Sequence, residues 1–80
     1  MKEIKILELG PYTIPGPGGI EVNYGITFRE ILAVIPLTVW ESQEHSVNPI
    51  ARFITTSSCL LDYINATITG KAKVYIIGYI

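Results

Sequence analysis

The sequence predicts an all-β fold: a small antiparallel β-sandwich of six or seven strands that associates with itself. Three observations predict it. The residue palette leans on Ile, Val, Tyr and Thr, which suit a pleated, half-buried surface. Residues 20–28 alternate without a break, with Ile20, Val22, Tyr24, Ile26 and Phe28 against Glu21, Asn23, Gly25 and Thr27. Strand-like runs recur about every 8–12 residues between turn signals, the rhythm of a sandwich or barrel rather than of alternating strands and helices.

Each element has its own reason. Residues 2–9, "KEIKILEL", read as a first strand. "GPYTIPGPGG" follows with three prolines and four glycines and reads as a loop, because proline cannot donate to a ladder and glycine permits positive φ. The alternating run from Ile20 is the clearest strand of the chain. Residues 28–35 stay open between a short helix and an irregular crossover: Thr27 and Glu30 have capping-box spacing, and Pro36 would end a helix. Strand character resumes from Leu37 to Trp40, and "SQEHSVNP" is a polar loop. "IARFITTSS" and "CLLDYINATIT" read as two strands parted by a turn near Thr56 to Ser58, the second reaching about Thr69. Gly70-Lys71 is a turn signal before a last strand that starts at Lys71 or Ala72. All 80 residues form one domain, with residues 1–18 as N-terminal strand and loop and residues 19–80 as its core.

Self-association follows from composition. A chain of 80 residues buries only about 60–65% of its unfolded surface, so its own core is marginal. The single cysteine, Cys59, makes no internal disulfide, and no Cys/His cluster offers structural zinc. Partner subunits or an unusually well-packed core remain. Charged residues are 16% of the chain against a usual ~25%, hydrophobic residues are 49%, and the mean hydropathy is +0.39. The last strand sharpens the point. It sets Val74, Ile76 and Ile80 on one face and Tyr75, Ile77 and Tyr79 on the other, so both faces need cover. Tyrosine suits an interface where the ring is buried and the hydroxyl stays wet. Tyr75, Ile77 and Tyr79 are therefore the candidate oligomer interface, although alternation alone does not say which face is inner.

Several functions are excluded or weakened. The net charge is −1 and the six basic residues are scattered, so no stripe for nucleic acid exists. No apolar run approaches the roughly 20 residues of a spanning helix, and Glu3, Lys5 and Glu8 interrupt any signal-peptide core, so neither membrane insertion nor a secretion signal is expected. "PGPGG" lacks the Lys-Ser/Thr of a phosphate-binding loop. Glu41, Glu44 and His45 could ligate a metal only if a helix aligned them, and their stretch reads as a solvated loop, so no cofactor or metal is expected. His45 is the only histidine, and Ser57, Ser58 and Asp62 lie in nothing like a nucleophile elbow, which argues against an enzyme. Cys59 reads as a small buried hydrophobe. Asn65-Ala66-Thr67 matches a glycosylation acceptor that means little without a secretion signal. Trp40 offers an apolar face that matches a pyranose ring, and with Glu44 and His45 it forms the candidate ligand or receptor contact; the alternative is that Trp40 packs into the core or an interface.

"YGITFREILAVIPLTVWES", "ITTSSCLLDYIN" and "KAKVYIIGYI" together resemble H-type lectin domains and the C-terminal domains of phage tail fibres, with Thr27, Phe28, Pro36, Thr55, Thr56, Tyr75, Gly78 and Tyr79 carrying the match. The resemblance runs from Gly19 to Ile80, about three quarters of the chain. It implies a six-stranded sandwich that trimerises and binds host-surface carbohydrate. The chain departs from the pattern at Ser58-Cys59, where the family has Gly-Phe, and at "NATITGKA", where H-type lectins carry a Trp- and His-bearing sugar contact. The fold is thus implied more directly than sugar binding. Tail-fibre tips end long proteins; with methionine as its first residue, this chain is expected instead to be a stand-alone virion or assembly subunit that uses the same sandwich. The expected function is a non-enzymatic structural or assembly protein: a viral or phage-like virion surface, spike or fibre-tip subunit that forms a homotrimer or larger assembly and meets a host-surface glycan. It would reach the virion or extracellular surface through virion assembly and lysis. The alternative is a stand-alone lectin-like carbohydrate-binding module.

Overall fold

A computed structural model describes residues 3–15, 18–42, 47–65 and 67–80. Among these residues the chain forms six strands and no helix: β1 (Ile4–Ile14), β2 (Ile20–Asn23), β3 (Glu30–Glu41), β4 (Ile50–Arg52), β5 (Ser58–Asp62) and β6 (Gly70–Tyr79). They make two three-stranded antiparallel sheets, β1–β6–β3 and β2–β5–β4. Val74 and Ile76 from β6 meet Cys59 and Leu61 from β5 and Val22 from β2 in one buried core, so the architecture is sandwich-like. Burial of each Val, Leu or Ile contributes about 1.5–3 kcal/mol.

The last strand settles which of its faces is inner. Gly70, Ala72, Val74, Ile76 and Gly78 point into the core, and Tyr75, Ile77 and Tyr79 point out and stay partly exposed. Ile80 lies beyond the strand and is 37% exposed. The inner face is small at its ends and large in its middle for a reason. A Cβ at position 78 would lie 2.7 Å from the Phe28 ring, and one at position 70 would lie 2.6 Å from the Tyr63 hydroxyl. Aromatic side chains close both ends of β6 over glycine.

The alternation at residues 20–28 is fulfilled by burial rather than by ladder. β2 ends at Asn23, yet Tyr24 and Phe28 are buried like Val22, while Glu21, Asn23, Gly25 and Thr27 are exposed. Gly25 adopts φ +80° and breaks the regular ladder. Contact with the neighbouring segment continues through Tyr24 N donating to Ser57 O (3.0 Å) and Phe28 N donating to Thr56 O (2.8 Å). The Tyr24 and Phe28 rings meet edge to face at 5.9 Å.

Other expectations are corrected. Residues 28–35 form neither helix nor crossover, because β3 runs from Glu30 through Pro36 to Glu41. Arg29 N donates to Tyr79 O at 2.7 Å and Glu30 stands opposite Tyr79, so the capping-box spacing of Thr27 and Glu30 caps nothing. The alternation is hidden because both faces of β3 are rich in apolar residues. Pro36 is tolerated because β3 is an edge strand. Thr38 N donates outward to Asn48 Oδ1 (2.9 Å), and in a regular strand the amide direction two residues earlier is the same, so Pro36 lacks a donor only on the side away from β6.

The Pro/Gly segment is likewise not all loop. β1 continues through Gly10-Pro11 to Ile14, with a register shift between Leu9 and Tyr12, and Ile14 is fully buried. β5 ends at Asp62 rather than near Thr69. The chain leaves the ladder there because Tyr63 turns into the core, its hydroxyl 3.0 Å from Thr38 Oγ1. Asn65 Oδ1 then accepts from the backbone and hydroxyl of Thr67, which fixes a turn before Ile68. The expected turn at Thr56 to Ser58 lies at residues 53–57, where Thr55 Oγ1 accepts from Ser57 N (3.2 Å) and Ser58 N (2.9 Å).

Candidate functional site

The register of β1–β6–β3 puts the exposed apolar residues of three strands on one surface. Tyr75, Ile77 and Tyr79 form its central row. Ile4 and Ile6 of β1 stand opposite Tyr79 and Ile77, and Ala33 and Ile35 of β3 stand opposite Ile77 and Tyr75. Leu37 and Trp40 extend the β3 row opposite Lys73 and Lys71. Directly opposed residues in antiparallel strands share a face, with Cβ atoms about 5 Å apart, so these side chains make a continuous layer.

The layer is open. Ile6 is 64% exposed, Ile4 57%, Trp40 55%, Leu37 43% and Ile35 42%. With the partly exposed Tyr75, Ile77 and Tyr79 it makes a contiguous, largely apolar surface, the kind of patch that marks an interaction site.

Charge enters this face at defined places. The Tyr75 hydroxyl donates to Glu8 Oε1 at 2.7 Å, and Lys73 Nζ lies 3.5 Å from the same oxygen. The Tyr75 hydrogen bond first, and the Lys73 charge second, hold the Glu8 carboxyl below the usual carboxylate range. The bond to Glu8 raises the Tyr75 hydroxyl above the ordinary tyrosine value. Glu30 stands at one end of the face, opposite Tyr79, and Lys71 at the other, opposite Trp40.

The candidate residues are therefore partly brought together. Tyr75, Ile77, Tyr79 and Trp40 share one face. Glu44 and His45 lie outside the described residues, so the proposed cluster around Trp40 is represented by Trp40 alone. Ile4, Ile6, Ile35 and Leu37 were not anticipated as site residues. The signal for the first two was the even spacing of "IKILEL"; β3 gave none while its apolar run resembled a helix.

Shallow hollows lie elsewhere among the described residues. One of about 280 Å³ is lined by Asn23, Gly25, Ile26, Thr27 and Ser57. Another, about 250 Å³, sits beside Phe53, which is 79% exposed and adopts φ +50° in the β4–β5 turn. Cys59 is buried beneath that hollow, and burial pushes its thiol up, which makes it a poor nucleophile. Among the described residues no group of three His, Cys, Asp or Glu side chains is placed to hold a metal ion, and no helix is long and apolar enough to cross a membrane.

Comparison of the chain with protein-family models, with curated proteins and with solved structures gave no match.

Proposed function

We propose that the chain is a non-enzymatic structural subunit that assembles with copies of itself through the outer face of the β1–β6–β3 sheet. The observation that carries this reading is the continuous apolar layer in which Ile6, Ile4 and Trp40 are each more than half exposed. Low charge content and the modest core of an 80-residue domain support it independently. The role as a virion surface, spike or fibre-tip subunit, with its location at a virion or extracellular surface, is supported by the resemblance to tail-fibre and H-type lectin domains. That resemblance also supports a trimer or larger assembly and a host-surface glycan as a further partner. Light scattering at micromolar concentration should give a mass above one 8.9 kDa chain. Ile77→Lys, which sets a charge in the middle of the layer, should give a folded monomer. A wild-type monomer would sink the proposal.

One observation favours a second reading, a lectin-like carbohydrate-binding module. Trp40 is 55% exposed on this same face, and an open indole can stack on a sugar ring. That reading expects specific binding on a glycan array that Trp40→Ala abolishes, and a blank array removes it.

A further inference from the structure

We infer that the hollow beside Phe53, on the outer face of the β2–β5–β4 sheet, takes a cationic side chain, lysine or arginine, of a partner protein, with Glu21 as its counter-charge and Phe53 as its aromatic wall. This surface lies on the opposite side of the sandwich from the outer face of β1–β6–β3, and the inference is independent of the self-association reading.

Phe53 adopts φ +50°, a left-handed conformation that glycine accepts freely and a bulky side chain adopts at a cost. Its ring is 79% exposed, so packing within the chain does not offset that cost. The segment after it is nevertheless fixed. Thr55 N donates to Ser58 O at 2.8 Å, and the Thr55 hydroxyl donates to the same carbonyl at 3.1 Å. A strained residue beside a well-bonded turn, with its side chain in water, is the pattern of a ligand contact rather than of a packing contact.

The walls of the hollow set the chemistry of what it takes. It measures about 250 Å³ and is lined by Glu21, Phe53, Thr55, Ser58, Cys59 and Leu60. That is below the roughly 300–1,000 Å³ of small-molecule sites and suits a single side chain. Glu21 and Leu60 stand opposite each other on β2 and β5. Glu21 is exposed, and among the described residues no cation is paired with it. The face of the Phe53 ring attracts a cation, and Leu60 offers apolar contact to the methylene stem that carries one. The Thr55 and Ser58 hydroxyls engage each other at 3.1 Å, so the carboxylate is the main polar group left for a ligand. Arg52 stands beyond Leu60, two strand spacings or about 10 Å from Glu21, and does not line the hollow. Asp62, two residues from Leu60 on the same side of β5, adds a second carboxylate, so this face carries two acids against one base.

The test is a titration of isotope-labelled protein, followed by amide NMR, with the capped peptide acetyl-Gly-Lys-Gly-amide and with acetyl-Gly-norleucine-Gly-amide as its uncharged match. The lysine peptide should give saturable shifts at Glu21, Phe53 and Leu60, and the norleucine peptide none. Glu21→Gln should weaken binding about threefold. Phe53→Gly should weaken it at least as much and yet melt at the wild-type temperature or above, because glycine relieves the left-handed backbone. No saturable shift, equal shifts from both peptides, or an unchanged affinity in Glu21→Gln would overturn the cation site. A Phe53→Gly variant that melts well below wild type would make Phe53 a packing residue and overturn its role. A fall in assembly mass in Glu21→Gln with no peptide present would give the hollow to a second copy of the chain and overturn the partner.

Discussion

The Tyr75 hydroxyl and the Glu8 carboxylate, 67 positions apart in the chain, are joined by a 2.7 Å hydrogen bond that ties the first strand to the last on the open face of the sheet. Because the bond stabilises the charged form of Glu8, Tyr75→Phe should move the Glu8 titration up towards the ordinary carboxylate value, as followed by carboxyl NMR across an acid titration. The direction of the stability effect follows. With its folded value depressed, Glu8 contributes fully above its unfolded pKa and loses that contribution as pH falls through the folded value. Both groups are exposed, so the contribution is small. An unchanged Glu8 titration in the variant would mean that the hydrogen bond does not persist in solution.

Gly78 should tolerate no side chain. A Cβ there would lie 2.7 Å from Phe28 Cδ1 and would also crowd the Glu30 carbonyl oxygen, which is backbone and cannot step aside. Gly78→Ala should cost about 1–3 kcal/mol, which lowers the melting temperature of a domain this size by at least about 4 °C. A melting temperature within a degree or so of wild type would mean that the Phe28 ring packs elsewhere.

Lys5 should act as a guard on the β1 edge. Lys5→Val removes the charge from the core side of that strand and leaves "EIVILEL", a strong strand former, with an open row of backbone groups. The variant should form thioflavin-positive aggregates sooner than wild type under gentle agitation. Equal lag times would mean that the edge is protected by something other than Lys5.

How much was legible depended on whether the two faces of each strand differed in polarity. The run from Ile20 to Phe28 was legible residue by residue, because its inner face is apolar and its outer face polar. β3 was not, because Val34 faces the core while Ile35 and Leu37 face out, so an apolar run hides the period of two. β6 was recognisable as a strand, yet its two apolar faces left the inner one undecided until Val74 and Ile76 proved fully buried. The Pro/Gly segment misled because Pro11 sits at an irregularity of an edge strand, where a missing amide costs no ladder bond. Of the site, the row Tyr75, Ile77 and Tyr79 was read from the last strand alone, whereas its continuation through Ile4, Ile6 and Ile35 depends on register between distant strands. No single stretch of sequence records register.

The placement of β6 also sets the order in which the chain can fold. It is the last strand in sequence and the central strand of its sheet, so β1 and β3 have no hydrogen-bonding neighbour in that sheet until it arrives. During synthesis, the first sheet must wait for Gly70 to Tyr79 to emerge, while β2, β5 and β4 can pair sooner. A topology closed by its last strand relies on distant contacts and folds on the slow side for its length, in about milliseconds to seconds. In that interval the apolar sides of β1 and β3 stand uncovered, and the nascent chain is most exposed to chaperones and to its own neighbours.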